Sequence, residues 1–457
     1  MQKMKNGKKV LSVCLSLAMA AGMLSTSAFA SWNVYGGSNN HNAVVTEAPT
    51  TPDKSGLDSY IQLHCTGSGW DGVDNVPVLQ TVNGTTYAYV LYDGYGASGA
   101  LVAKIRCAEN GGSSIVWTTD PYGTEGTSLN AKSGFQLSTP YLDDNGTPND
   151  ASDDTLYVGT ISQYDDYEGG EWLTGTGSKV MALTGLDQNK PTVTNVLTGI
   201  NGQINTPITT DGTYLYFGTW PGGSRAGTYY QVKLSDYSVK TFTPDSYGFY
   251  WAGAVSDGTN VYFGSDNGLL YWRSIADFDT TGGVLDLTDV ASDAGNVRST
   301  VMLDDGYLYF TTQGGYLWCC SYDDGLTVEW HKKLGATSTS TPTKVGDRIY
   351  VGYYSGFNAG GVQCVSADGS SVKTVVEGDG FPVQSSIVVM GDGTGTDYLY
   401  FNTNAQKGAG YCYSYDGTTG SQVWGTTGDT YALGGMAIDN GYAVFGNDYN
   451  HLYVVHD

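Results

Sequence analysis

The chain has 457 residues, a formal net charge of −24, only 14% charged residues, 65 glycines and 36 tyrosines. Such acidity speaks against nucleic acid and anionic membranes as partners. The aromatic, glycine-rich balance with few charges speaks against a disordered chain and against a helical one.

At the N-terminus, Lys3, Lys5, Lys8 and Lys9 precede an apolar run from Val10 to Ala21, and Ala28-Phe29-Ala30 then forms a small-x-small cleavage pattern. Residues 1–30 read as an export signal peptide rather than a membrane span. Cys14 lies inside the apolar run, behind Val13, whereas a lipid-attachment cysteine would follow the run and a small residue. No other segment has the apolar length to cross a bilayer. The expected product is therefore residues 31–457, secreted or associated with the cell surface, a monomer without membrane insertion. Loss of the four lysines takes its charge to about −28.

Residues 31–37, which contain Trp32-Asn33-Val34-Tyr35, are predicted to close the last repeat as its missing strand, and 42–58 to be a polar linker containing proline. Further along, an aromatic segment recurs at Tyr89 (YVLYD), Leu156 (LYVGT), Leu215 (LYFGT), Val261 (VYFGS), Leu308 (LYFTT), Ile349 (IYVGY), Leu399 (LYFNT) and Ala443 (AVFGN). Between short β-rich runs stand turns such as Asp257-Gly258, so each unit reads as an antiparallel meander. About ten residues upstream of many copies lies a run of small residues, as at Ser138-Thr139-Pro140, Asn205-Thr206-Pro207 or Ser340-Thr341-Pro342. Eight copies with a period near forty to fifty residues predict an all-β fold, an eight-bladed β-propeller of four-stranded antiparallel blades. One such sheet cannot bury both faces, whereas blades packed around an axis can. The N-terminal strand would close the last blade and remove an open sheet edge.

Six cysteines follow the leader: Cys65, Cys107, Cys319, Cys320, Cys364 and Cys412. Cys319, Cys364 and Cys412 share the pattern CxSxD in different repeats, and equivalent places one blade apart are too distant to bridge. They read as small buried hydrophobes on strands. The turn between Tyr141 and Tyr157 crowds Asp143, Asn145, Asp150 and Asp153 among other acids, which suits either a solvated acidic hairpin or a structural Ca²⁺ site of hard oxygens on a flexible loop. A Ca²⁺ ion there would make the melting point sensitive to chelators. The acidic insert from Tyr164 to Trp172 is a weaker case.

Three units end in tryptophan at matching distance: Trp117, Trp330 and Trp424. The last, SYDGTTGSQVW from Ser414, resembles the AxDxxTGxxxW docking motif of the PQQ-like (quinoprotein alcohol dehydrogenase-like) β-propellers, with Ser414 in place of the alanine. The resemblance covers most of the chain after residue 30 and implies that each tryptophan stacks between neighbouring blades. It also raises quinone chemistry, since enzymes of that family place the cofactor over a tryptophan with Ca²⁺, an aspartate base and often an adjacent-cysteine disulfide. Cys319-Cys320 is such a pair, but GGYLWCCSYDDG reads as a strand, whose consecutive side chains point to opposite faces. PQQ is accordingly not expected, and the resemblance carries over no catalytic residue; GFYWAGA, NVRST, TSTSTP and FPVQSS look like segments of secreted bacterial propellers of this kind.

In a propeller, the loops that lead into the innermost strands and those joining the second and third strands gather at one mouth of the channel. The first set supplies Trp70, Asp71, Tyr250, Trp251, Arg298 and Gln384; the second supplies Trp220, Arg225, Asp266, Gln313, Tyr353, Tyr354 and Lys407. Aromatics with a few polar heads suit sugar rings or protein hot spots. No HxxxH, HExxH or GxSxG pattern accompanies them. The expected function is a non-enzymatic ligand- or protein-binding, scaffolding module for an extracellular protein or glycan, with a carbohydrate-active or PQQ-dependent enzyme as the alternative. Trp251 and Arg298 are the central aromatic and cation, whose joint removal should abolish binding without changing the melting temperature.

Overall fold

A computed structural model describes residues 31–63, 72–94, 99–120, 126–131, 136–161, 177–323 and 325–457, and the backbone of 164–168 and 171–174. The leader and Cys65, Trp70 and Asp71 lie outside the described residues.

The turns set the architecture. Asn83-Gly84, Asp305-Gly306 and Asn440-Gly441 each hold two successive residues at positive φ, between 49° and 84°, the conformation of the tight hairpin turn that matches strand twist. Elsewhere the turn aspartate does more. One oxygen of Asp211 accepts the amides of Thr213 and Tyr214, and the other accepts the hydroxyl of Tyr216 at 2.7 Å. Asp257 repeats this with Thr259, Asn260 and Tyr262. The spacing of turn aspartate and anchor tyrosine thus fixes the first hairpin of a blade.

Eight such meanders form eight blades. Blade 1 comprises Val78–Val82, Thr85–Asp93, Ala100–Arg106 and Ser114–Thr118. Blade 2 comprises Tyr141–Asp143, Thr155–Thr160, Ser178–Thr184 and Thr192–Ile200, with a separate hairpin of Tyr164–Glu168 and Glu171–Thr174 between its second and third strands. Blade 3 runs from Thr209–Thr210 to Val239–Phe242, blade 4 from Val255–Ser256 to Gly282–Asp286, and blade 5 from Met302–Asp304 to Thr327–Lys333. Blade 6 runs from Thr343–Val345 to Val372–Asp379, and blade 7 from Val388–Met390 to Gly420–Gly425. Blade 8 supplies Ala437–Asp439, Tyr442–Gly446 and His451–Val455.

A strand from the N-terminal part of the chain completes blade 8, but it is Tyr60–Gln62, paired antiparallel with His451–Val455. Residues 31–37, predicted for that place, do something else. The Trp32 carbonyl accepts from the Leu79 amide, Asn33 from Leu142, Asn40 from Leu303 and Ala43 from Val389. Those four donors are the second residues of the innermost strands of blades 1, 2, 5 and 7. In blade 6 the equivalent Lys344 exchanges two hydrogen bonds with the Asn42 side chain, each 2.9 Å. His41 reaches Ala254 of blade 4, and Val44–Val45 pairs in parallel with Val388–Met390. The segment therefore satisfies backbone groups that the innermost strands turn toward the axis, which would otherwise lack partners. The predicted linker 42–58 is correspondingly more ordered than expected, with this short strand and a helical turn at Lys54–Leu57.

The cores lie between blades, and alternation along each strand feeds them. In blade 5, Leu308, Phe310 and Cys320 pack toward blade 4, while Tyr309 and Cys319 pack toward blade 6. Toward the axis, small hydroxyl side chains join the blades. There Ser138 bonds to the carbonyl of Thr206, Thr311 to Ser340 and Thr339 to Gln384, each linking one blade to the next.

Candidate functional site

The hydrogen bond from the Phe249 amide to the Thr219 carbonyl and that from Asp266 to Gly248 bring the lead-in of blade 4 against the second strands of blades 3 and 4. Trp220, Tyr250, Trp251, Asp266 and Arg298 meet there. Arg298 holds Asp266 bidentately, Nε and Nη2 each donating at 2.7 Å. Trp220 donates its indole N–H to the same carboxylate at 3.2 Å. The Arg298 side chain is 20% exposed and that of Asp266 5%. Burial opposes the cation, but the Asp266 carboxylate outweighs it and holds the guanidinium pKa above its ordinary value. The guanidinium also lies 4.6 Å from the centre of the Tyr250 ring, a cation–π contact.

Three aromatic rings stand in a row over this pair. Trp220 and Tyr250 meet edge to face at 5.3 Å, and Tyr250 and Trp251 lie tilted at 5.0 Å. All three are half-buried. Trp251 has φ +59°, a left-handed conformation uncommon for a bulky side chain and characteristic of functional sites when the surroundings hold it. The Thr300 hydroxyl, bonded to the Trp251 carbonyl and accepting from the Gly253 amide, does the holding.

Trp251 also lines a cavity at the axis, of about 430 Å³ counted out to open solvent, with Asp74, Asn75, Leu137, Thr139, Pro207, Gln384, Ser385 and the Leu433-Gly434-Gly435 turn around it. Tyr35, from the N-terminal segment, contributes to its lining and is tied to Thr341 by a 3.0 Å hydroxyl bond.

The remaining predicted residues scatter. Tyr353 is buried, its hydroxyl on Glu377, because its strand Arg348–Ser355 is long enough to carry it into the blade. Tyr354 is half-buried at the end of the same strand. Gln313 accepts from Asn296, and Gln384 is buried at the cavity wall. Arg225 and Lys407 are exposed. Of the cavity residues that the sequence reading missed, Thr139 and Ser385 stand inside runs already marked by their small residues; Asp74 and Asn75 had no such mark.

Trp117 reaches the Leu186 carbonyl of blade 2, and Trp424 donates to Pro49 at 2.8 Å. Trp330 of blade 5 lies against Gly369 of blade 6 so closely that a Cβ there would come within 2.6 Å of the indole. In the acidic turn, the carboxylates are engaged locally. Asp143 accepts the Asn145 amide, Asp150 the amide and hydroxyl of Ser152, and Asp153 the Thr147 hydroxyl, while the Asn145 side chain bonds to the Asp153 carbonyl. Among the described residues no three His, Cys, Asp or Glu side chains are grouped to hold a metal.

The described cysteines are free and buried. Burial pushes the Cys364 thiol up to about 11 and the Cys412 thiol up to about 12, which keeps both protonated and inert. Cys319 and Cys320 face two different cores on the third strand of blade 5. They do not fit the role of a covering over a quinone ring.

Fold and site together define an eight-bladed β-propeller with an aromatic row beside an axial cavity. No family model and no curated protein matches the chain. Among solved structures it is similar to BamB from Moraxella catarrhalis, at 13% identity over 87% of this chain and 98% of that one, with a TM-score of 0.52. A quinohemoprotein alcohol dehydrogenase from Comamonas testosteroni aligns at 10% identity over 93% and 80%, with a TM-score of 0.58. Sqt1 from Saccharomyces cerevisiae aligns at 12% over 89% and 99%, with a TM-score of 0.56. At these identities the likeness is one of fold.

Proposed function

We propose that this chain is an exported, non-enzymatic binding propeller that takes an extracellular protein or glycan on the face formed by Trp220, Tyr250 and Trp251. The observation that carries the reading is the row itself: three half-buried rings held in order over the Arg298–Asp266 pair. Rigid aromatics with an apolar face and a polar edge lose little entropy on binding and dominate both sugar stacking and protein hot spots. Export rests on the leader pattern in residues 1–30. A propeller fold is shared by proteins of unlike activity, so the fold supplies no reaction.

The test compares the native protein with a Trp220→Ala/Trp251→Gly variant on a glycan array and an array of secreted and surface proteins. Glycine suits the +59° backbone at position 251, and melting curves of both proteins establish that the variant is folded at the temperature of the arrays. The reading requires at least one native ligand that the variant loses. Matching binding profiles would move the site elsewhere, and dye reduction with added PQQ, Ca²⁺ and an alcohol would replace the reading with a redox enzyme.

A further inference from the structure

The axial cavity is a different feature from the aromatic row, although Trp251 belongs to both. Its walls come from the lead-ins of blades 1, 2, 3, 4, 7 and 8. Tyr35 contributes to its lining, and the segment around Tyr35 bonds to the innermost strands of blades 1, 2, 5 and 7 through Leu79, Leu142, Leu303 and Val389. Trp251 lines the cavity and is half-buried, so it is part of the rim that solvent reaches.

The polar atoms in this pocket have unmet capacity of both kinds. Asn75, 2% exposed, donates both amide hydrogens to the carbonyls of Leu91 and Gln136 at 2.8 and 2.6 Å, and its Oδ1 is buried without a partner. The Ser385 hydroxyl is also buried without a partner. Leaving such groups unsatisfied costs about 1–3 kcal/mol each, so their retention at a cavity wall points to a ligand that supplies the partners. The Thr139 hydroxyl accepts from the Val76 amide at 3.2 Å and keeps its proton to donate. The side chain of Gln384, no more than 9% exposed, adds a donor and an acceptor, and the Asp74 carboxylate, engaged elsewhere as well, stands in the same wall.

These requirements select among ligands. An apolar guest would leave Asn75 Oδ1 and Ser385 Oγ unmet. An anion would meet the Asp74 carboxylate. An ammonium has donors only and would face the donors of Gln384, Ser385 and Thr139 with nothing to accept them. A hydroxyl both donates and accepts, and a ring of hydroxyls with an apolar face also suits Trp251 and the aliphatic walls of Val76, Leu137, Pro207 and Leu433.

We propose that the pocket framed by Asp74, Asn75, Thr139, Trp251, Gln384 and Ser385 binds one neutral sugar ring, the terminal residue of a glycan. This deepens the reading of the face as a binding surface and rests on it only for the rim residue Trp251. Asn75 Oδ1, Ser385 Oγ and the Gln384 amide hydrogen-bond the ring hydroxyls, and the indole covers the ring's apolar face.

Tryptophan fluorescence and calorimetry would follow titration of the full chain after residue 30 with methyl glycosides of glucose, galactose, mannose and N-acetylglucosamine, and with n-butylamine as the cationic control. Binding of at least one glycoside is expected, weakened tenfold or more by Ser385→Leu, which fills the pocket, and severalfold by Ser385→Ala. Because that hydroxyl has no protein partner, Ser385→Ala keeps the native melting temperature and reports on the ligand alone. The proposal is overturned if no glycoside binds below about 20 mM, if Ser385→Leu binds as the native chain does, or if butylamine binds in their place. Trp220→Ala separates the two readings: it lies outside the pocket, so loss of array ligands with glycoside binding intact places both sites. Retention of array ligands by a chain that binds no glycoside sinks the pocket alone.

Discussion

At Arg298 the guanidinium commits both parallel N–H groups to Asp266, so the residue singled out in the sequence as the central cation is neutralised by its neighbour. Its effect on binding runs through Asp266, the Tyr250 ring and the Trp220 indole, all of which it holds in place. The expectation that its removal leaves stability unchanged is revised accordingly. Arg298→Ala leaves a 5% exposed carboxylate with its main counter-charge gone, and breaking a buried pair from one side costs about 3–5 kcal/mol. The prediction is a loss of roughly 3 kcal/mol by denaturant unfolding for Arg298→Ala, of which Arg298→Ala/Asp266→Ala recovers more than half. Equal losses in the single and double variants would mean that the pair does not bear on stability. The sequence offered both residues of the pair for the same face but no means of joining them, because Asp266 follows the second strand of blade 4 and Arg298 leads into blade 5.

Among the elements, the first strand of blade 8 carries the seam where the ring closes. Asp439, at its end, accepts the Thr81 hydroxyl of blade 1 at 2.8 Å, and Asn440 bonds to Thr86. Burial raises the Asp439 carboxyl to about 6, only partly offset by the Thr81 bond. A carboxyl raised on folding binds more protons in the folded chain than in the unfolded one between about pH 4 and pH 6, so its stability contribution is full below that window and lost as pH rises through it. Asp439→Asn keeps an acceptor for Thr81 and removes the charge. It is expected to raise stability at pH 7 by about 2 kcal/mol and to flatten the fall in melting temperature between pH 4 and pH 6; a variant with the native pH profile would remove Asp439 as its source. Elements of this kind were the part most open to sequence reading. Turn dipeptides such as Asp257-Gly258 and anchor tyrosines such as Tyr262 declare each hairpin locally, through contacts five residues apart, and their eight copies give the blade count. The third-strand cysteines were equally legible, since alternation alone sends Cys319 and Cys320 to different cores. Tyr353 was misjudged because strand length decides whether a side chain near a loop is inside the blade, and boundaries are the weak point of pattern reading.

For the whole molecule, the decisive segment is the one whose role was least visible, residues 31–45. Both Trp32–Tyr35 and Tyr60–Gln62 are short aromatic stretches suited to a strand, and only contacts several hundred residues away in sequence decide which of them completes blade 8. The first goes instead to the axis, touching the innermost strands of blades 1, 2, 4, 5, 6 and 7, with Val34 packed in the core between blades 2 and 3. It joins the innermost strands of six blades to one segment, and is expected to make the ring melt as one cooperative body. Each of the four backbone bonds to Leu79, Leu142, Leu303 and Val389 is worth about 1 kcal/mol, and burial of Trp32, Val34 and Ala43 adds about 1.5–3 kcal/mol for each of the two larger side chains. A chain beginning at Glu47 keeps all eight blades and the closing strand Tyr60–Gln62, yet is expected to lose its single sharp melting transition. A synthetic peptide of residues 31–46, added in excess, should restore that transition, since a segment that binds only the folded ring stabilises it by mass action. It should restore glycoside binding at the same concentrations, because the pocket takes part of its lining from Tyr35. A truncated chain that melts like the native one would show that the blades cohere through their flanks alone, and that the axial segment fills space without holding the ring together.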